Sequence, residues 1–162
     1  MKFERHIIKD PIVDVMHRHG DDIIEAPAFQ AMKDYVQHTN SNAFAHSIAV
    51  TLEALRYAKE NEIPVDERAL VRGCLLHDYW LYDCHKKGHP SFHLSLHGLR
   101  AAKNAKRDFG IGPLEADMIS NHMWPIHPFR FPLCMEGWIL IIADKKVSIR
   151  ERFSSKKKIE SN

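Results

Sequence analysis

Six side chains that can bind divalent metals occur along the chain in the order His, His-Asp, His, His, Asp. They are His46, His77, Asp78, His97, His122 and Asp144. Imidazole nitrogens and carboxylate oxygens are good ligands for zinc, iron and manganese. Twelve histidines in a chain of this length are also more than packing needs. The residue types and their order therefore predict a metal site.

The doublet His77-Asp78 ends an apolar segment over residues 71–76. An ionised carboxylate buried beside a histidine is costly unless something pairs with it, and a divalent metal is such a partner. The alternative for the doublet alone is structural. His77 would then complement the dipole of a helix C-terminus, and Asp78 would begin a polar loop.

Each of the other candidates also has a plainer interpretation. Asp144 follows an uninterrupted apolar run, where a carboxylate rarely faces hydrocarbon, although it could instead pair with a neighbouring lysine. His46 lies off the centre of an apolar helical stripe, which suits the edge of a wet pocket or simply the surface. His97 precedes Gly98, which lets another backbone or a ligand approach closely. His122 closes a predicted helix.

The elements that must position these side chains are helices. Apolar residues recur at helical spacing, and no segment shows convincing period-two alternation or a hairpin signal. We expect an all-α fold of five to seven helices. The predicted helices span residues 10–19 (ending at Gly20), 27–38, 43–61 (after an N-cap signal at 39–42), 66–77 (capped by Asp66), 91–109 (capped by Ser91, stopped by Gly110), 112–122 and 133–153.

Composition narrows the functional classes. The 162 residues fit one domain, and a net charge of +2 indicates no strong field for a nucleic acid polymer or a membrane. Three cysteines without a CxxC pair argue against a disulfide framework and a zinc-thiolate site. Neither a signal-peptide core nor a membrane-length apolar run is visible, so a cytoplasmic protein is expected.

Five short segments carry a resemblance to a known family. They are Ala45-His46-Ser47, Leu75-Leu76-His77-Asp78, Leu96-His97-Gly98, Ser120-Asn121-His122 and Ile142-Ala143-Asp144-Lys145. This ordered set resembles the HD superfamily of metal-dependent phosphohydrolases. The two middle histidines make it similar to the six-ligand, two-metal branch, and within that branch to bacterial HD hydrolases that cut dinucleoside tetraphosphates. The resemblance covers residues 43 to 150.

The resemblance implies an HD-domain helical bundle over residues 43–153 with the metal site between its helices. Residues 1–42 would pack on this core or lid it, and residues 154–162 would form a polar tail. It also implies that His46, His77, Asp78 and Asp144 bind a first metal, and that His97 and His122 add a second with Asp78 bridging. The cofactor would be one or two divalent ions, iron or manganese or else nickel, cobalt or zinc.

The implied reaction is hydrolysis of a phosphate ester or anhydride in a nucleotide or other small phosphorylated metabolite, by a metal-activated water. His77 and Asp78 would be catalytic as well as ligating. Phosphoryl transfer requires positive charge, for which Lys145 and Arg130 are candidates in catalysis and substrate binding. Further candidates for substrate binding are Arg150, His127 and Asp83. Each cation could instead be a solvated surface charge, which is the commoner case, and Asp83 or Glu53 could accept a ring proton from a ligating histidine.

The chain departs from the commonest family pattern after the doublet. Many relatives continue with a small residue, then Gly or Ala, then Lys, whereas this chain has Tyr79-Trp80-Leu81-Tyr82-Asp83. The substrate class is therefore open, and these aromatic residues either stack on a base or simply pack. Two other functions stay possible: a mixed-valent di-iron oxygenase with the same six ligands, and a non-catalytic module that binds metal or nucleotide.

Overall fold

The computed structural model describes residues 10–38, 41–81 and 93–160. Over these ranges the chain forms a bundle of seven α-helices, which confirms the expected all-α class. The helices are α1 (Pro11–Ile24), α2 (Pro27–Gln30), α3 (Ala43–Glu60), α4 (Glu67–Leu76), α5 (His93–Phe109), α6 (Pro113–Asn121) and α7 (Met135–Glu160). The sequence did not predict a short antiparallel ribbon, in which β1 (Val36–His38) pairs with β2 (Ser41–Asn42).

Local capping signals place several helix ends where the sequence predicted them. The side chain of Asn42 accepts a hydrogen bond from the N–H of Ala45 at the start of α3, at 2.8 Å. Asp66 does the same for Ala69 at the start of α4, at 2.9 Å. Gly110 has a φ of +60° directly after α5, a conformation that few residues other than glycine adopt. These ends follow from hydrogen bonding within a few residues.

Three predicted helix boundaries are wrong. Helix α1 continues through Gly20 to Ile24. The glycine does not end the helix but lets α1 pack closely on α4, since an added Cβ would lie 2.6 Å from Cδ1 of Leu75. The predicted helix over 27–38 gives way to a 3-10 helix (Ala31–Asp34) and then β1. The backbone of Tyr35 is extended, and its carbonyl accepts a hydrogen bond from the N–H of Ala43 at 2.9 Å. This carbonyl therefore bonds to the start of α3 and not within a helical turn. Helix α7 extends past residue 153 to Glu160.

Helix α4 forms the centre of the bundle. All its residues from Ala69 to Leu76 are buried, as the apolar segment predicted. It packs against α1, α3, α6 and α7, while α7 also lies along α3 and α5 lies along α6. The C-terminal end of α4 therefore delivers His77 and Asp78 into the middle of the molecule.

Candidate metal site between the helices

The six predicted ligands come together from five helices or their ends. His46 lies on α3, the doublet follows α4, His97 lies on α5, His122 follows α6 and Asp144 lies on α7. Five of them are at most 5% exposed, and the side chain of Asp144 is 18% exposed. A buried group of ionisable side chains is costly unless each one is paired. The packing of the bundle thus creates a polar cluster that requires compensation.

Asp78 lies at the centre of the cluster, and its two carboxylate oxygens face different partners. Oδ2 lies 3.2 Å from Nε2 of His77 and 3.8 Å from Nε2 of His46. Oδ1 lies 3.6 Å from Nε2 of His97 and 3.6 Å from Nε2 of His122. One carboxylate is therefore shared between two pairs of imidazole nitrogens.

Asp144 completes the first of these pairs. Its Oδ1 lies 3.1 Å from Nε2 of His46 and 3.9 Å from Nε2 of His77, and it accepts a hydrogen bond from the Ser148 hydroxyl at 3.2 Å. In the group of His46, His77 and Asp144, and in the group of His77, Asp78 and His122, one ligand atom from each residue lies within 4.8 Å of the others. Each buried group can therefore hold a metal ion.

The two histidines that follow α4 and α6 are oriented by their own helix ends. Nδ1 of His77 donates to the carbonyl of Cys74 at 2.8 Å, and Nδ1 of His122 donates to that of Ile119 at 2.7 Å. The last carbonyls of a helix lack a partner within the helix, so they are available for this purpose. Because a carbonyl only accepts, Nδ1 carries a proton, which leaves Nε2 as the nitrogen that can bind a metal.

Two observations show that these nitrogens suit a metal. The buried Nε2 of His77 makes no hydrogen bond in the described part of the chain, although the carboxylate of Asp78 lies 3.2 Å away as an ion-pair partner. Nε2 of His97 lies 3.0 Å from Nε2 of His122. Two nitrogens bound to one ion at the usual distance of about 2.0 Å would lie about 3 Å apart. The donor types, the orphaned nitrogen and this spacing all fit a divalent metal.

Gly98 allows the second pair to meet. A Cβ at this position would lie 2.8 Å from the carbonyl oxygen of Ile119 and 3.1 Å from that of Ser120. Helices α5 and α6 reach this separation only because residue 98 has no side chain. The sequence predicted a close approach here, and the approaching backbone is the end of α6 that carries His122.

The aromatic residues after the doublet are packed. Trp80 is 4% exposed and meets the ring of His97 edge-on at 5.3 Å between centroids. Tyr79 is fully buried against Phe109. The side chain of Asn104 on α5 donates to the carbonyls of Tyr79 and Trp80, each at 3.2 Å. These contacts support the packing interpretation of the two residues and fix the chain beside His97.

The electrostatics favour the ligand forms of Asp78 and His122. Burial raises the pKa of the Asp78 carboxyl, but His77, with His97 and His122, outweighs it and holds that pKa well below its usual range. Burial, together with the neighbouring His97 and His77, lowers the pKa of His122 to about 3. Asp78 is therefore ionised and His122 neutral at pH 7, as metal ligands must be.

His46 lies in the most acidic corner of the cluster. Burial lowers its pKa, but hydrogen bonds to Asp144 and Glu151 and the charge of Asp78 raise it overall to about 10. The surrounding carboxylates thus demand a positive charge at this corner. A divalent cation supplies such a charge as well as a proton does.

Two predicted phosphate-binding residues hold the segment that follows His122. Nζ of Lys145 donates to the carbonyl of Trp124 at 2.7 Å, and Nη2 of Arg130 donates to that of Ser120 at 3.0 Å. A lysine has three N–H donors and an arginine has five, so these contacts leave donors for an anion. Both cations are anchored beside ligands, since Lys145 follows Asp144 and Ser120 precedes His122 by two residues.

The remaining predicted substrate residues are not brought to the cluster by any described contact. Arg150 donates to Glu53 at 3.2 Å. His127 is half-buried, and its Nε2 has no hydrogen-bond partner among the residues that the structure describes. Asp83 lies outside the described residues.

Glu53, which the sequence suggested as an acceptor for a ligating histidine, instead pairs with Lys146 and Arg150. Sequence reasoning missed the residue that accepts from His46. Oε2 of Glu151 lies 3.1 Å from Nδ1 of His46. Glu151 follows Asp144 by two helical turns, so a search along that face of α7 would have found it.

Comparison with known proteins found no relative of this chain. No family model matches the chain, and neither the curated proteins nor the solved structures contain a match. No described helix combines the length and apolar character needed to cross a membrane. Membership of the HD superfamily therefore stays a prediction from the residue pattern.

Proposed function

We propose that this protein is a metal-dependent phosphohydrolase of the HD type. It cleaves a phosphate ester or anhydride in a nucleotide or other small phosphorylated metabolite. The observation that carries the proposal is the arrangement around Asp78, whose two oxygens face two separate pairs of histidine nitrogens. A carboxylate shared in this way suits two neighbouring metal ions.

The ligands divide into two sets. His46, His77, Asp144 and Asp78 would hold the first ion. His97, His122 and Asp78 would hold the second. These nitrogen and oxygen donors suit manganese or iron, and also nickel, cobalt or zinc. The second set has fewer protein ligands, so an ion held there would be more accessible to water or substrate.

Bound at this site, two divalent ions would lower the pKa of a coordinated water and neutralise charge on the phosphoryl oxygens. The chain itself positions the ligands and, by burying them, keeps bulk water away from the site. Asp144 is the most exposed of the six ligands, so we expect substrate to approach beside α7. Lys145 is the next residue on that helix, and its unused donors would bind a phosphate oxygen there.

The proposal is tested by phosphate release from metal-depleted protein that has been reloaded with Mn²⁺ or Fe²⁺. The substrates are nucleotides, dinucleoside polyphosphates and sugar phosphates. We expect release from at least one class, lost in His77→Ala and Asp78→Ala. His17→Ala is the matched control, because His17 is a half-exposed histidine of α1 that pairs only locally with Asp21 in the described structure. It should keep full activity.

Other outcomes would assign the site differently. A metal-loaded protein that releases no phosphate from the whole panel would contradict the hydrolase. Two bound irons with oxygen uptake on substrate addition would indicate the oxygenase instead. A protein without metal whose melting temperature rises only with a nucleotide would indicate a non-catalytic binding module.

A further inference from the structure

We infer that Glu151 is the positioning residue of the metal site, because its carboxylate holds the ring of His46 in the orientation and tautomer that bind metal. This inference rests on the metal-binding part of the proposed function. It concerns a residue that the ligand pattern itself does not contain.

The geometry around His46 supports this role. Nδ1 of His46 lies 3.1 Å from Oε2 of Glu151, while Nε2 on the opposite side of the ring faces Asp144 at 3.1 Å and Asp78 at 3.8 Å. A carboxylate that is ionised only accepts hydrogen bonds, so Nδ1 is the donor. With a metal at Nε2, the one proton left on the ring would therefore stay on Nδ1, on the side away from the cluster. His46 is fully buried and the side chain of Glu151 is 19% exposed, so little water competes for this contact.

The position of His46 in its helix explains why it needs a carboxylate. His77 and His122 follow their helices, where a spare carbonyl three residues earlier accepts from Nδ1. His46 lies in the first turn of α3, where the preceding carbonyls accept the hydrogen bonds of the helix itself. An acceptor must therefore come from another element, and Glu151 comes from α7, 105 residues later.

Helix α7 supplies the ligand and this acceptor from one face. Asp144, Ser148 and Glu151 follow one another at intervals of four and three residues, so they form a single stripe. Ser148 donates to the ligand oxygen of Asp144 between them. This stripe continues beyond the apolar run of α7. Its contacts with Asp144 and His46 hold that part of the helix against the cluster.

A plainer role for Glu151 would be to attach α7 to α3. Glu53 offers a matched control, because it also joins these two helices. Its carboxylate pairs with Lys146 at 3.1 Å and with Arg150 at 3.2 Å. Its side chain is 12% exposed, close to the burial of Glu151. Glu53→Gln therefore weakens the contact between α3 and α7 without removing the acceptor of His46.

The experiment measures Mn²⁺ affinity by equilibrium dialysis on metal-depleted wild type, Glu151→Ala, Glu151→Gln and Glu53→Gln. Loss of such an outer carboxylate typically weakens metal binding by about 10- to 100-fold, which we expect for Glu151→Ala. Glu151→Gln keeps a neutral acceptor and should lose less. Glu53→Gln should stay within about twofold of wild type. The Co²⁺ absorption spectrum should change in Glu151→Ala and be unaltered in Glu53→Gln, since only the former perturbs a ligand.

A double-mutant cycle separates positioning from general stabilisation. In a His46→Ala background, Glu151→Ala should not weaken Mn²⁺ binding further. Equal losses in Glu151→Ala and Glu53→Gln, or an undiminished effect of Glu151→Ala without His46, would overturn the inference. Failure of the wild type itself to bind Mn²⁺ would instead contradict the proposed function.

Discussion

Replacing Gly98 with alanine should separate the two helices that carry His97 and His122. The new Cβ would lie 2.8 Å from the carbonyl oxygen of Ile119, whereas ordinary contact begins at 3.4 Å. The backbones must therefore move apart by the difference, about 0.6 Å. Overpacking of this kind costs about 1–3 kcal/mol, and the better helix propensity of alanine returns at most about 1 kcal/mol. We expect a net loss of about 1 kcal/mol in the free energy of unfolding.

The effect on metal binding should exceed the effect on stability. Ligand distances in a metal site tolerate about 0.2 Å, so a shift three times larger should disrupt the paired nitrogens of His97 and His122. We expect calorimetry to show a melting temperature lower by a few degrees in the metal-free protein. Titration with Mn²⁺ should show one tight ion instead of two.

Lys103→Ala is the control, because it adds no contact on the exposed face of the same helix. A Gly98→Ala protein with two tight ions and an unchanged melting temperature would refute the close approach as the cause of this pairing.

Three further substitutions test the elements around the site. Asn42→Ala removes the N-cap of α3 and should lower the free energy of unfolding by about 1 kcal/mol in urea titration. Asn42→Asp keeps a capping oxygen and should be as stable as wild type. Equal stability of wild type and both variants would contradict the cap. Arg72→Ala removes the buried guanidinium that joins Asp22 to the carbonyl of Phe109. It should lower the free energy of unfolding by about 2 kcal/mol and leave the metal content unchanged. A loss below about 0.5 kcal/mol would contradict this bridge. Gly20→Ala should cost about 1–3 kcal/mol by crowding Leu75, of which the better helix propensity of alanine returns at most about 1 kcal/mol. A stabilised variant would show that the side chain of Leu75 moves aside freely.

The part of the fold that the sequence predicts is the part with local causes. Asn42 and Asp66 cap helices through hydrogen bonds that span three residues, and α4 is buried from Ala69 to Leu76 because these residues are apolar except Arg72. The six candidate ligands were also recognisable, since each is a polar residue at the end or edge of an apolar helical segment. Their separations in space follow from helix packing, which no local pattern encodes.

The failures have tertiary causes. Gly20 has the residue type of a helix stop, yet its role depends on Leu75, which lies 55 residues away in the chain. The strand at 36–38 pairs with Ser41–Asn42, and the carbonyl of Tyr35 beside it accepts the N–H of Ala43 in α3. Glu151 shares a helix face with Asp144, two turns earlier, but only the contact between α3 and α7 shows that it faces His46.

The most direct test of the metal site is the number of ions per chain. Protein purified without added metal and then equilibrated with Mn²⁺ should contain close to two ions by mass spectrometry. His97→Ala should retain one, and Asp78→Ala should retain none, because the carboxylate of Asp78 faces both sets of nitrogens. A wild-type protein that takes up no metal, and whose melting temperature ignores Mn²⁺, would show that this buried cluster is a structural network of ion pairs and not a metal site.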